Sequence, residues 1–225
     1  MKKFLLIGLV ATLFIGCSGS KDRRFQTVSN EDAVLLQKGE EKSYCKMCGM
    51  HLPTFYKTNH AADTKNGVKQ YCSIHCAVDD HEHHHSDLHN IKVVDTNSLE
   101  FIKADSAIYV VGSSKKGTMS MVSKYAFSNE DDAKAFMTEN GGQIMNFKEA
   151  YELAKADFDQ DMSMINDKKG MARFMGRVLY FANCDSIEQT FTSTIEAKSY
   201  ILENKKCSTD DEQKLHAISI YLTQE

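Results

Sequence analysis

The chain has 225 residues, and its 27 basic side chains are outnumbered by 31 acidic ones, which gives a net charge of −4. Loss of Lys2 and Lys3 with an N-terminal leader would make the remainder more acidic. This balance argues against nucleic acid as a partner and permits the attraction of cations. The part that follows the first 43 residues has the length of one or two domains.

The N terminus predicts export. A basic start is followed by an apolar stretch from Phe4 to Ile15, which is too short to span a bilayer. Gly16 then precedes Cys17, so residues 1–16 have the pattern of a bacterial lipoprotein signal peptide, and Cys17 is the expected site of lipidation. Phe14 departs from the small or aliphatic residue that is usual there. An ordinary secretory signal with an incidental cysteine is the alternative, but we expect a protein of the cell envelope that is anchored to a membrane by lipid.

The next part of the chain predicts a mixed fold. Residues 17–43 are polar, and we interpret them as a tether that contains a short helix near 32–37. From 44 to 156 the order strand, strand, helix, strand occurs twice, which predicts an α+β fold of two ββαβ units. The first unit is expected at 56–62, 67–72, 73–80 and 91–95, and the second at 107–112, 119–127, 128–140 and 143–146.

The C-terminal third predicts helices. Asn146 and Glu149 form a capping box for a helix at 147–156, and Thr209 with Glu212 has the same pattern near the end. Residues 157–169 are acidic and polar, which is typical of a linker. The segment 170–225 then reads as a helical domain because apolar residues recur at helical spacing. They are Met171, Phe174, Met175, Val178 and Leu179, followed later by Leu215, Ile218 and Leu222.

Six cysteines follow Cys17. Two close pairs, Cys45-x2-Cys48 and Cys72-x3-Cys76, have the spacing of metal-ligand or redox pairs, whereas Cys184 and Cys207 stand alone. An even number of cysteines in an oxidising compartment favours disulfides. Spacing does not settle the connectivity, and the two isolated cysteines are the best candidates for a disulfide.

Three functions are open to the paired cysteines. Four thiolates suit a closed zinc site of the treble-clef type, which would make the protein a zinc-stabilised binding domain. A thiol-disulfide oxidoreductase would need a helix after the first pair, and the sequence from Gly49 to Pro53 disfavours one. Met47 and Met50 flank the first pair, and thioethers suit Cu(I) but add little to zinc. Core packing is the other explanation of these two methionines.

Further candidate ligands lie outside the pairs. His75 sits between Cys72 and Cys76, and His83 belongs to a histidine-rich tract from 81 to 89, which is typical of loose copper or zinc binding. A solvated loop is the alternative for the tract. Met119 follows a polar loop between two predicted strands, where a core position is a poor explanation of a methionine.

These residues together resemble the NosL family of copper-binding lipoproteins that are linked to nitrous oxide reductase. The resemblance runs in family order from Tyr44 to about Ala156, half of the chain. Its motifs are the lipoprotein signal, Cys45-x2-Cys48-Gly49-Met50, Tyr71-Cys72-Ser73, Val94-Asp95, Ala107-x-Tyr109-Val110-x-Gly112-Ser113, Met119, Ala126-Phe127-Ser128 and Gly141-Gly142.

The resemblance implies a periplasm-facing lipoprotein that binds Cu(I) and passes it to the machinery that assembles the copper centres of nitrous oxide reductase. It also implies the fold of two ββαβ units. Cys45, Cys48 and Met50 match the Cys-Gly-Met motif, and Met119 matches the methionine of a Gly-Pro-Met-Gly loop that here has lost its proline and second glycine. Cys76 and the histidine tract are not general features of the family.

The tail has a second, weaker resemblance. Gly176-x2-Leu179-Tyr180-x3-Cys184 is similar to the opening of a small c-type cytochrome domain, and the segment 217–222 is similar to its closing helix. The haem attachment sequence is absent after Cys184, so no haem is expected, and a plain helical appendage is the alternative. The sequence thus predicts a lipid-anchored Cu(I) carrier that is not an enzyme.

Overall fold

The computed structural model describes residues 24–223, so the expected signal peptide and the lipidation site Cys17 lie outside the described residues. Seven strands and six α-helices occur in this part of the chain. The strands are β1 (His60–Thr64), β2 (Gly67–Tyr71), β3 (His89–Val94), β4 (Phe101–Lys103), β5 (Ile108–Val111), β6 (Lys124–Phe127) and β7 (Gln143–Asn146). The helices are α1 (Ile74–Val78), α2 (Glu130–Asn140), α3 (Phe147–Ala156), α4 (Phe158–Asn183), α5 (Thr194–Glu203) and α6 (Glu212–Leu222).

The two ββαβ units have the same strand arrangement. One antiparallel sheet has the order β2-β1-β3-β4 and the other has the order β6-β5-β7. In each unit the first strand is central: His60 pairs with Tyr71 and Val93, and Ile108 pairs with Phe127 and Asn146. The predicted α+β class and its repeat are confirmed, and β4 is an edge strand that the sequence did not indicate.

Two predicted strands are shorter than expected. The 3-10 turns of Pro53–Thr58 include the first three residues of the strand that was expected at 56–62, so β1 begins only at His60. The second strand of unit two begins at Lys124 because Met119 has a φ of 55°, which a regular strand excludes. Both departures lie next to the cysteines, so irregular backbone surrounds the candidate site.

A shared core joins the units. Val78 of α1, Val93 of β3 and Tyr109 of β5 are fully or almost fully buried, and Ala150 of α3 packs in the same cluster. α3 begins at the predicted capping box, in which Asn146 accepts from the Glu149 amide. Because α1 packs on the first sheet, α3 packs on the second and the two helices contact each other, the two units share one core.

The described part of the expected tether is packed on this core. Phe25 contacts the ring of Tyr125 edge-to-face at a centroid distance of 5.3 Å. Gln37 is buried, and its side-chain oxygen accepts from the backbone of Gln70 at 3.0 Å. No helix forms at 32–37, because these residues lie along the edge of β2 and bond to it rather than to one another.

The expected linker is helical. α4 runs from Phe158 to Asn183 over 26 residues and includes the whole of 158–169. The helix was not predicted because its sequence is mostly polar. Few apolar residues occupy its inner face, and the buried Ile165 is one of them. The division of the chain into separate domains stays a prediction.

The C-terminal helices have a small core of their own. Tyr180, Ile201, Leu215 and Ile218 form it, and a disulfide joins Cys184 to Cys207 at its edge. α6 is capped by Asp211, whose side chain accepts from two backbone amides, so the cap lies two residues after the predicted Thr209. Within residues 24–223, no helix combines the length and apolar content of a membrane span.

Candidate metal centre

The first cysteine pair lies in a tight turn. The amide of Gly49 donates to the Cys45 carbonyl and the amide of Cys45 donates to the Met50 carbonyl, both at 2.9 Å. Gly49 has a φ of 70°, a conformation that glycine adopts without strain. The turn therefore presents Cys45, Cys48 and Met50 from one short loop.

The second pair meets the first. Cys72 follows β2 and Cys76 lies in α1, one turn further on. The sulfur of Cys72 is 3.6 Å from that of Cys48 and 3.7 Å from that of Cys76. All four sulfurs lie within 4.8 Å of one another, so the structure brings together two pairs that are 23 residues apart in sequence.

These distances fit a bound ion. Tetrahedral thiolates at about 2.3 Å from a zinc ion are roughly 3.8 Å from each other, close to the observed separations. The same four thiols offer two or three soft ligands to Cu(I). The donor set thus fits either ion, and the surrounding residues decide between them.

One thiol of the cluster ionises more readily than its neighbours. Burial opposes ionisation of Cys45, but hydrogen bonds from the thiols of Cys48, Cys72 and Cys76 outweigh it and hold the pKa of Cys45 well below its usual range. Burial raises the pKa of Cys72, and hydrogen bonding within the cluster raises that of Cys76. A soft cation would displace the remaining protons and replace these hydrogen bonds by metal–sulfur bonds.

Three methionines lie in the same hydrophobic cluster as the cysteines. Met47, Met50 and Met119 pack against the cluster that contains Cys45, Cys72 and Cys76, whereas Met121 is 59% exposed. The hydroxyl of Thr58 explains how the Met119 loop reaches the site, because it lies 2.8 Å from both the Cys72 carbonyl and the Thr118 hydroxyl. Met119 is therefore fixed beside Cys72 although 47 positions separate them.

The two candidate histidines occupy different environments. His75 is buried, with Nδ1 3.7 Å from Asp161 of α4, and neither ring nitrogen makes a hydrogen bond. His83 is exposed, and it stacks on Phe158 at 4.2 Å while His75 stacks on the same ring at 4.8 Å. In the part of the chain that the structure describes, no histidine of the 81–89 tract joins the four thiols.

The C-terminal helices cover the cysteine turn. Lys198 of α5 is fully buried, and its ammonium donates to the Gly49 carbonyl at 3.1 Å and lies 3.6 Å from Glu212. Burial lowers the pKa of Lys198 to about 8. A side chain on Gly49 would press against Thr194 at 3.2 Å. This buried cation lies next to the thiol cluster and balances negative charge there.

The helices also complete a cavity beside the thiols. The cavity has a volume of about 980 Å³, and its lining includes Cys48, Cys76 and His75. α4 and α6 add Met162, Met164 and His216, whose Nδ1 is buried without a hydrogen bond. Neither Lys198 nor His216 could be recognised from sequence, because each is a single residue on a helix far along the chain with no ligand spacing around it.

Comparison with known proteins agrees with this architecture. The NosL family model matches residues 36–153. The copper-binding lipoprotein NosL of Stutzerimonas stutzeri is 31% identical over 155 residues, which cover 64% of this chain and 77% of that protein. The copper-binding lipoprotein NosL of Achromobacter cycloclastes is 44% identical over 45 residues, which cover 20% of this chain and 23% of that protein.

A solved structure is also similar. The crystal structure of the copper chaperone NosL from Shewanella denitrificans aligns with 51% of this chain and 95% of its own, at 29% identity and a TM-score of 0.42. The family match ends at residue 153, so Lys198, His216 and the methionines of α4 lie in an addition to the matched region.

Proposed function

Because this chain belongs to the NosL family, we propose that it is a lipid-anchored carrier that binds Cu(I) and passes it on, rather than an enzyme. Cys17 is the proposed point of attachment to a membrane of the cell envelope, with the described residues facing the periplasm. The proposed receiver is the machinery that assembles the copper centres of nitrous oxide reductase. Copper is the cargo of the protein in this proposal.

One observation carries the choice of metal: Met47, Met50 and Met119 pack in the hydrophobic cluster that also contains the thiols. Thioethers are soft donors, which Cu(I) accepts and zinc gains little from. They also stay unprotonated where thiols and imidazoles compete with protons. We assign Cys45, Cys48, Met50 and Met119 as the primary ligands.

The other predicted ligands take supporting roles in this proposal. Cys72 and Cys76 supply alternative thiolates within 3.7 Å of each other, so the ion moves between overlapping ligand sets without becoming free. His75 lies at the wall of the adjoining cavity. His83 and its tract at the surface collect metal loosely.

Structural zinc is the second candidate function. The sulfur separations of 3.6 and 3.7 Å also suit a closed tetrahedral zinc site. A thiol-disulfide oxidoreductase is disfavoured because no helix begins at the Cys45 turn. Competition for metal separates the two candidates that remain.

The test is an anaerobic titration of the reduced protein with Cu(I) against a chromogenic Cu(I) chelator. We expect stoichiometric binding, and we expect Met50→Leu and Met119→Leu each to weaken it about tenfold, which corresponds to about 1.4 kcal/mol. Met121→Leu is the matched control and should bind as the parent does. Unchanged Cu(I) affinity in both variants, together with unfolding on removal of zinc, would establish the zinc site instead.

A further inference from the structure

The thiol cluster holds more donors than one Cu(I) ion uses. Cu(I) is satisfied by two or three soft ligands, whereas four free cysteines lie with their sulfurs within 4.8 Å of one another. Three methionines pack in the same hydrophobic cluster. An ion that takes two thiolates and one thioether therefore leaves two thiols and two thioethers beside it, which is a second set of soft ligands.

The thiols belong to two separate pieces of the chain. Cys45 and Cys48 lie in the turn before β1, whereas Cys72 follows β2 and Cys76 lies in α1. The two sulfurs of the second pair are 3.7 Å apart. Each piece thus offers a pair of thiolates from its own backbone.

Each pair also has a methionine next to it. Met50 closes the turn of the first pair, because its carbonyl accepts from the Cys45 amide at 2.9 Å. Met119 is tied to the second pair by Thr58, whose hydroxyl lies 2.8 Å from the Cys72 carbonyl and 2.8 Å from the hydroxyl of the residue before Met119. Both methionines pack in the hydrophobic cluster that contains the thiols, so each pair has a thioether in its own surroundings.

The sulfur separations fit an ion on each pair. Thiolates about 2.3 Å from a metal ion lie about 4.0 Å apart in a trigonal site and about 4.6 Å apart in a linear one. The separations in the cluster cover this range, from 3.6 Å between Cys48 and Cys72 to the limit of 4.8 Å. The short contact joins the two pairs, so two ions would lie side by side with a thiolate between them.

Charge also favours a second ion. Four thiolates carry four negative charges, so one bound Cu(I) leaves three of them and two bound ions leave two. Lys198 supplies a buried ammonium beside the turn, where it donates to the Gly49 carbonyl at 3.1 Å. Because uncompensated buried charge is costly, the fully ionised cluster is more stable with two ions than with one.

We propose that the centre takes two Cu(I) ions as a dinuclear thiolate cluster. The first ion binds the two thiolates of the turn with Met50, and the second binds the two thiolates at α1 with Met119. Met119 serves the first ion in the singly loaded protein and passes to the second when both are bound. The inference rests on the proposed carrier function and doubles the cargo of one chain.

The experiment counts copper ions per chain. It uses residues 17–225 with Cys17→Ser, kept anaerobic, and a thiol assay confirms the four free cysteines of the cluster. Titration with Cu(I) against a chromogenic Cu(I) chelator measures the stoichiometry, and native mass spectrometry counts the ions on a single chain. We expect two ions per chain. X-ray absorption of the doubly loaded protein should show a copper–copper scattering path, which an isolated ion cannot give.

Substitutions assign the second ion to the cysteines. Cys76→Ser should take one ion instead of two and lose the copper–copper path. Met121→Leu is the matched control, because Met121 is 59% exposed, and it should still take two. Circular dichroism checks that each variant keeps the parent's helix content. The scattering measurement needs the parent cluster alone, so it decides the question even if Cys76→Ser does not fold.

Any of three results would overturn the proposal. They are saturation of the parent at one ion per chain, two ions without a copper–copper path, and two ions retained by Cys76→Ser. The last two would place the extra ion elsewhere, for example on the histidine tract at 81–89. The carrier function fails only if the parent binds no Cu(I), so the two failures are distinguishable.

Discussion

Gly176 is the point at which the tail is most sensitive to a small change. A Cβ built on Gly176 would lie 2.0 Å from the Ala217 carbonyl oxygen and 3.0 Å from the Cβ of Tyr221. Both obstacles belong to α6 near its backbone, so neither moves by a simple rotation. Gly176→Ala therefore forces α4 and α6 apart by an ångström or so, counted against a normal contact of about 3 Å.

The expected magnitude follows from two opposed effects. Alanine is about 1 kcal/mol more favourable than glycine inside a helix. Overpacking costs about 1–3 kcal/mol, and a clash with the Ala217 backbone, which cannot rotate away, belongs at the upper end. We expect Gly176→Ala to lower the free energy of unfolding by about 2 kcal/mol, which is a fall in Tm of about 4–8 °C for a chain of this length.

Gly170→Ala in the same helix is the matched control. A Cβ at Gly170 meets nothing within 4 Å, so only helix propensity acts, and Tm should rise by about 2–4 °C. Thermal unfolding followed by circular dichroism at equal metal loading measures both. If Gly176→Ala is as stable as the parent while Gly170→Ala behaves as expected, the close approach of α4 and α6 is refuted.

Three further predictions concern buried charge and covalent structure. Burial lowers the pKa of His60 from 6.5 to about 4, so the folded state resists its protonation and loses roughly 3 kcal/mol as pH falls from 6.5 to 4; His60→Gln should flatten the dependence of Tm on pH in that window. Burial lowers the pKa of Lys198 from 10.5 to about 8. The free-energy cost of burying its charged ammonium is therefore fully present below pH 8 and disappears above pH 10.5. Urea denaturation should therefore show the parent gaining roughly 3 kcal/mol over Lys198→Met as pH rises through that range, and parallel curves would contradict the assignment. Replacing Cys184 and Cys207 by serine opens a link across a sequence separation of 23 and should lower the free energy of unfolding in urea by about 3 kcal/mol, and an unchanged free energy would contradict this.

Local patterns were sufficient for much of the fold. The repeated order of strands and helices predicts both sheets, and the capping box at Asn146 predicts the first residue of α3. These signals are local, since a turn or cap depends on residues a few positions away. The 3-10 turns after Pro53 and the bend at Met119 were not predicted. Packing around the cysteines overrides strand propensity there, and such packing is a long-range effect.

The structure of the C-terminal part depends on contacts between residues that are far apart in sequence. Residues 158–169 are polar enough to resemble a linker, yet they form the first part of α4 and bury Asp161 and Ile165 against the rest of the protein. The role of Lys198 has no sequence signal at all, since its partner Gly49 is 149 positions away. The cysteines were recognisable from spacing, whereas the cation that balances them depends on tertiary structure alone.

The four thiols are unequally buried, so the centre is accessible from one side. Cys45, Cys72 and Cys76 are at most 1% exposed, while Cys48 is partly exposed and lines the cavity. In the proposed carrier, an incoming thiolate would meet Cys48 first, so transfer of the ion would begin with the bond to that sulfur. Loading and release would then use the same opening, and a partner bound over it would exclude competitors until transfer was complete.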